Sequence, residues 1–189
     1  MSGAAISKLG YALLGLLRQK PSSGYDLRKV FSSTAMMSYS DSPGAIYPAL
    51  RRLEQGGLIC GSVEAGSGMR RRQLFRPTQQ GVAELKKWIT RPLVPADVIR
   101  GLDEVMLRFA FSEEAAGPSA SVRLLKSLET KLTAYIPELH EQMSAGKAAM
   151  PTSGRLALES GIRGYECLLQ WTKDALGTYE RKKDGKRKE

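Results

Sequence analysis

Apolar residues in the first half of this 189-residue chain recur at helical spacing, in short runs broken by proline, glycine and serine. Leu9, Leu13, Leu16 and Leu17 predict a first helix over 7–19, ended by Pro21. Ser22 or Ser23 suits the cap of a second helix, which carries Tyr25, Leu27, Val30 and Phe31 and extends toward Met37. A third helix is expected over 42–55, with Ser42 as N-cap, Pro43 in the first helical position and Gly56-Gly57 as the stop.

The third helix carries the most information. Ile46, Leu50 and Leu53 form one apolar face, while Gly44, Tyr47, Pro48, Arg51 and Gln55 fall on the other. An ordinary surface helix fills its polar face with Glu and Lys. This one offers small residues, a phenol and a guanidinium, which suits a close approach to a partner that accepts hydrogen bonds. Pro48, read as an interior residue, would cost about 3 kcal/mol, and broken local rules tend to mark functional sites.

After Gly57 the period changes. Residues 58–64 and 71–76 read as two strands joined by the flexible Ala65-Gly66-Ser67-Gly68 turn, with Arg70, Arg71, Arg72 and Arg76 on the second limb. Three short helices followed by an arginine-rich hairpin match a winged helix-turn-helix. Thr78 should cap a fourth helix running to about Thr90 through Val82, Leu85 and Trp88. Pro92 to Pro95 marks a boundary. Beyond it helices are expected over 96–111, 118–143 and 153–179, with apolar stripes Leu125-Leu128-Leu132-Tyr135-Leu139 and Leu158-Ile162-Tyr165-Leu169-Leu176. The fold class is therefore mainly α: a winged helix-turn-helix domain over 1–92 with a two-stranded β wing, a helical dimerisation domain over 93–180, and a basic tail over 181–189, expected to be disordered.

Charge supports that division. Residues 1–92 hold 14 Lys/Arg against 5 Asp/Glu, a net of +9, and residues 93–180 hold 9 against 12, a net of −3. The last nine residues hold 6 against 2, a net of +4. A basic N-terminal half suits an acidic partner such as double-stranded DNA. Cys60 and Cys167 have no metal-ligand spacing and fit a reducing, cytoplasmic setting. The apolar run from Leu9 to Leu17 is too short to span a bilayer and lacks the flanks of a leader, so no membrane partner is expected. With His140 as the single histidine, no nucleophile–base set, phosphate loop or metal cluster assembles. The expectation is a protein that is not an enzyme and needs no cofactor.

These residues resemble the PadR family of bacterial transcription regulators. The likeness rests on Leu14-Gly15-Leu16-Leu17, Ser23-Gly24-Tyr25-Asp26-Leu27 and the run from Ser42 to Glu54. It continues through Gly57-Leu58-Ile59, Glu64 and the basic wing to Thr78 and Gly81. It covers about residues 6–92 closely and the rest in outline, as in the family's larger branch with a long helical C-terminal domain. Phe75 stands where the family often has tyrosine, and Gln79 where its usual Thr-Glu-x-Gly has glutamate. The resemblance implies a homodimeric winged-helix regulator, usually a repressor on an inverted-repeat operator, sometimes released by a small molecule.

The expected DNA contacts are Tyr25, Ser42, Gly44, Tyr47, Arg51, Arg70, Arg71 and Arg72, with Arg52 and Lys8 as weaker candidates. Tyr47 and Arg51 share a helix face one turn apart and are read as base-edge or near-phosphate contacts, arginine to guanine being the commonest specific pairing. Ser42 and Gly44 lie at a helix N-terminus, which suits phosphate. The wing arginines should meet phosphate or the minor groove. Trp88 and Trp171 are candidates to line a pocket for a small aromatic effector, as a tryptophan does in some multidrug-responsive relatives, although aromatics at helical spacing are more often core. The competing class is a helical protein-interaction module whose winged domain no longer reads DNA. Such a module has no use for Tyr47, Arg51 and three successive arginines together.

Overall fold

A computed structural model of the chain describes residues 5–34, 36, 43–64, 72–146 and 150–185. They form two compact units, one comprising residues 1–90 with 110–116 and the other 91–109 with 117–189.

The first unit opens with α1 (Lys8–Gln19), where Ser7 accepts a hydrogen bond from the Gly10 N–H at 3.2 Å. A two-residue strand β1 (Ser22–Ser23) leads into α2 (Gly24–Ser33). Two expectations are corrected here: α2 stops at Ser33 rather than extending toward Met37, and the sheet has a third strand. A 3₁₀ turn (Pro43–Ala45) then precedes α3 (Ile46–Gln55). The α-helix thus begins three residues later than Pro43, and Pro48 falls in its first turn. Backbone N–H groups there have no intrahelical acceptor, so the proline forfeits no bond and the expected penalty disappears.

The end of α3 follows from Gly56-Gly57. Gly57 has φ of 69°, its N–H donates to the Glu54 carbonyl, and the Leu58 N–H donates to that of Leu53, both at 2.9 Å. This is a Schellman stop, closed by the buried pair Leu53 and Leu58. It turns the chain into β2 (Ile59–Glu64), which pairs antiparallel with β3 (Arg72–Pro77) from Ile59↔Pro77 to Glu64↔Arg72. The other edge of β3 takes β1, with Ser22 opposite Phe75. Thr78 caps α4 (Gln79–Thr90): it accepts from the Gly81 N–H and donates to the Gly57 carbonyl at 2.6 Å. Helix α1 packs on α3, α4 and β3. Its Ala12, Leu13, Leu14 and Leu17 are essentially inaccessible, as are Leu27, Ile46, Leu50 and Leu85.

The second unit contains α5 (Pro95–Arg100), most of α6 (Leu102–Ala116), α7 (Pro118–Gly146) and α8 (Thr152–Gly185). One helix was expected over 96–111, but Gly101 divides it, its N–H donating to the Asp97 carbonyl. The core joins Leu93, Val98 and Val105 to Leu124, Leu128, Leu132 and Ile136 of α7, with Tyr165, Leu168 and Leu169 of α8 packed against it. Arg108 is buried and donates to the Arg91 carbonyl, and Arg91 pairs with Asp97 at 2.9 Å. The expected disorder from Arg181 onward is also corrected, because α8 continues to Gly185 and Arg181 donates to the Thr178 hydroxyl at 3.1 Å. Basic residues are good helix formers and favour the negative end of the helix dipole, which offsets their charge repulsion. Residues 186–189 lie outside the described residues.

Candidate nucleic-acid interface

Helix α3 separates its residues sharply. Ile46, Ala49, Leu50 and Leu53 are buried, while Tyr47, Pro48, Arg51, Arg52, Glu54 and Gln55 are exposed, as is Gly44 in the preceding 3₁₀ turn. Burial of the apolar face against α1 and α2 fixes the rotation of the helix, so the polar face is turned outward by packing. Each fully buried aliphatic side chain contributes about 1.5–3 kcal/mol to holding it there.

The start of α2 is fixed by a reciprocal cap. Ser23 Oγ accepts from the Asp26 N–H at 3.2 Å, and the Asp26 carboxylate accepts from the Ser23 N–H at 3.2 Å and its hydroxyl at 2.7 Å. The Ser23 hydroxyl bond, then the Ser23 backbone bond, Arg72 and Lys20, hold the Asp26 carboxyl below its ordinary value against a cost of burial. This cap lets Tyr25 project from the first turn of α2 with 58 % exposure, the Arg28 guanidinium 5.6 Å from its ring centre.

Three of the expected site residues share one depression. Tyr25 of α2, Tyr47 of α3 and Arg72 of β3 line a cleft of about 600 Å³ together with Ser23, Gly24 and Gln73. The Tyr47 ring lies so close to Gly24 that a Cβ on Gly24 would sit 2.6 Å from Tyr47 Cε1. Gly24 entered the sequence reading only within the Ser23–Leu27 motif and Gln73 not as a site residue, because neither side chain carries charge and their partners Tyr47 and Tyr25 come from other elements. Arg51 and Arg52 are exposed on α3, and Lys8 is half-buried at the start of α1. Ser42, Arg70 and Arg71 lie outside the described residues.

Residues 13–87 match the model of the Transcriptional regulator PadR-like family. The match lies within the first unit. Over 181 residues the chain is 26% identical to the Negative transcriptional regulator PadR of Bacillus subtilis, covering 92% of this chain and 98% of that protein. Over 187 residues it is 24% identical to a probable transcriptional regulator of Mycobacterium tuberculosis, covering 93% and 99%. Among solved structures, Bacillus subtilis PadR in complex with operator DNA aligns with a TM-score of 0.46 and 23% identity, over 93% of this chain and 99% of that one. The family and both relatives are named as transcriptional regulators.

The two tryptophans of the PadR-like chain occupy different units. Trp88 is buried in the first, stacked parallel on Tyr11 at 4.2 Å. Trp171 is 37 % exposed on α8 of the second, edge-on to Phe109 at 5.5 Å, beside a depression of about 390 Å³ that Asp174, Tyr179 and Lys182 also line. His140 bonds Glu166 at 3.0 Å on the helical surface. Among the described residues there is no His/Cys/Asp/Glu group that could hold a metal, and no helix long and apolar enough to cross a membrane.

Proposed function

We propose that this PadR-like regulator reads double-stranded DNA through the outward face of α3, with Arg51 in the major groove and Arg72 of the wing on the backbone. The observation that carries the reading is α3 itself: its apolar face is buried, and its outward face presents a phenol and a guanidinium, Tyr47 and Arg51, one turn apart. The net of +9 over residues 1–92 supplies the long-range attraction that non-specific DNA association requires. Ser42, Gly44, Arg70 and Arg71 belong to the same proposed contact set.

One recognition helix covers too few base pairs to choose a site within a genome. A two-fold dimer on an inverted repeat doubles the contacts, and the exposed Leu156 and Trp171 of α8 supply apolar surface for such an interface. The chain is proposed to act as a cytoplasmic repressor, in line with the name of its Bacillus subtilis relative. The depression beside Trp171 suits a small aromatic effector. Trp88, stacked in the core of the first unit, acts structurally in this reading.

Two substitutions test the DNA assignment. Arg51→Ala should cost about 1–3 kcal/mol and relax preference at one position per half-site. Arg72→Ala should weaken all sequences alike and flatten the salt dependence by about one unit of slope. If Arg51→Ala binds the preferred duplex as wild type does, in affinity and in base preference, α3 is not the reading element.

A further inference from the structure

Tyr47 and Arg51 lie on one face of α3, but their surroundings differ. Arg51 is exposed one turn along the helix, with the reach that base reading needs. The Tyr47 ring is wedged against the first residue of α2, where only glycine leaves room. The ring is 45 % exposed and lines the same cleft as Tyr25 and Arg72.

We infer that the cleft where α2, α3 and β3 meet is a seat for one DNA backbone phosphate. Its donors are the Tyr25 and Tyr47 hydroxyls and the Arg72 guanidinium, and Gly24 is a positioning residue for Tyr47. The inference rests on the DNA-binding reading above and divides its labour: Tyr47 sets register, and Arg51 discriminates bases. The donor set favours phosphate. A guanidinium only donates, phenols donate readily, and phosphate oxygens only accept, whereas a base edge mixes donors and acceptors. Charge agrees, since Arg72 and Lys20 both act on Asp26, and Arg28 lies over Tyr25. Arg72 and Lys20 share one carboxylate, which already accepts two hydrogen bonds from Ser23. The cleft volume of about 600 Å³ leaves room for the sugar that flanks a bound phosphate.

The test uses the full-length protein, its selected duplex and a scrambled duplex, each also made with single neutral methylphosphonate linkages along the backbone. Tyr47→Phe should weaken both sequences by the same factor, about tenfold, the size expected for a lost hydrogen bond to a charged group, with base preference unchanged. At one linkage per half-site the neutral duplex should bind wild type and Tyr47→Phe equally. Gly24→Ala should move affinity in the same direction. Because that change touches the backbone, Tyr47→Phe, which removes a single oxygen, is the decisive variant. A shift in base preference on Tyr47→Phe, or the absence of any coupled linkage, overturns the phosphate seat while leaving α3 as the reader. A cleft that binds inorganic phosphate in a Tyr47-dependent way, with DNA affinity indifferent to Tyr47→Phe, also overturns it in favour of a free-anion site. Wild-type protein that prefers no duplex sinks the DNA reading first, and the seat with it.

Discussion

In the first unit the short helix α3 keeps Ile46, Ala49, Leu50 and Leu53 at 4 % exposure or less, whereas in the second the much longer α8 leaves Leu156 at 52 % and Trp171 at 37 %. Among the residues of α8 with described side chains, only Ile162, Thr172 and Leu176 are buried. The contrast separates two uses of an amphipathic helix. A helix whose whole apolar face is buried within its own unit has a fixed rotation, so its other face can be presented to a partner with a defined geometry. A helix with uncovered apolar residues retains a driving force, about 25 cal/mol per Å² of such surface, for association. The first arrangement suits recognition and the second suits assembly.

The largest expected effect that would break this contrast lies at Phe111, which the first unit borrows from the end of α6. Phe111 is 5 % exposed, and a Cβ on Gly15 of α1 would sit 2.4 Å from its ring. Phe111→Ala should destabilise the first unit by about 3–5 kcal/mol. In a Trp171→Phe background, Trp88 fluorescence reports that unit alone, and its denaturant midpoint checks the expectation. An unchanged midpoint would mean that the first unit completes its core without α6.

The next effect concerns α8. Leu156→Asp should change the stability of an isolated chain by no more than about 0.5 kcal/mol, as exposed substitutions do. If α8 meets a second copy at that position, the same change should convert a micromolar dimer of the 20.7 kDa chain into monomer, read by light scattering. A wild-type chain that scatters as a monomer would refute the assembly role.

A smaller effect sharpens the recognition side. Ser23→Ala removes the cap that orients Tyr25 and should cost about 0.5–2 kcal/mol. The pH dependence has a defined sign. The folded state holds the Asp26 carboxyl below its ordinary value, so the contribution is complete above the unfolded carboxylate range and is lost as pH falls through the lower folded value. Asp26→Asn should remove that loss between about pH 4 and lower values in thermal melts. Its persistence would place the acid sensitivity elsewhere.

Much of this architecture was legible because periodicity survives in short segments. Ile46, Leu50 and Leu53 announced the buried face of α3, and the change of period after Gly57 announced the wing. Leu125, Leu128, Leu132 and Leu139 are buried in α7, as their spacing predicts. What was not legible depends on partners far along the chain or on too few residues. Strand β1 has two residues and no period to read. Gly101 divides a stretch whose hydrophobicity continues on both sides. The true start of α3 was hidden because Ser42-Pro43 has the chemistry of a helix start, while a 3₁₀ turn fills the next residues. The contacts of Phe111 with Gly15 and of Gly24 with Tyr47 are tertiary facts without a local signature.

Whether two copies of α3 together read one DNA sequence is decided by selecting bound duplexes from a random pool. Full-length wild-type protein and Arg51→Ala are taken through the same selection and sequenced side by side. The expected result is an inverted repeat whose half-site centres lie about 10–10.5 base pairs apart or a multiple of that, with one position per half-site randomised by Arg51→Ala. No enriched sequence, or a single undivided site recovered equally well by both proteins, would contradict it.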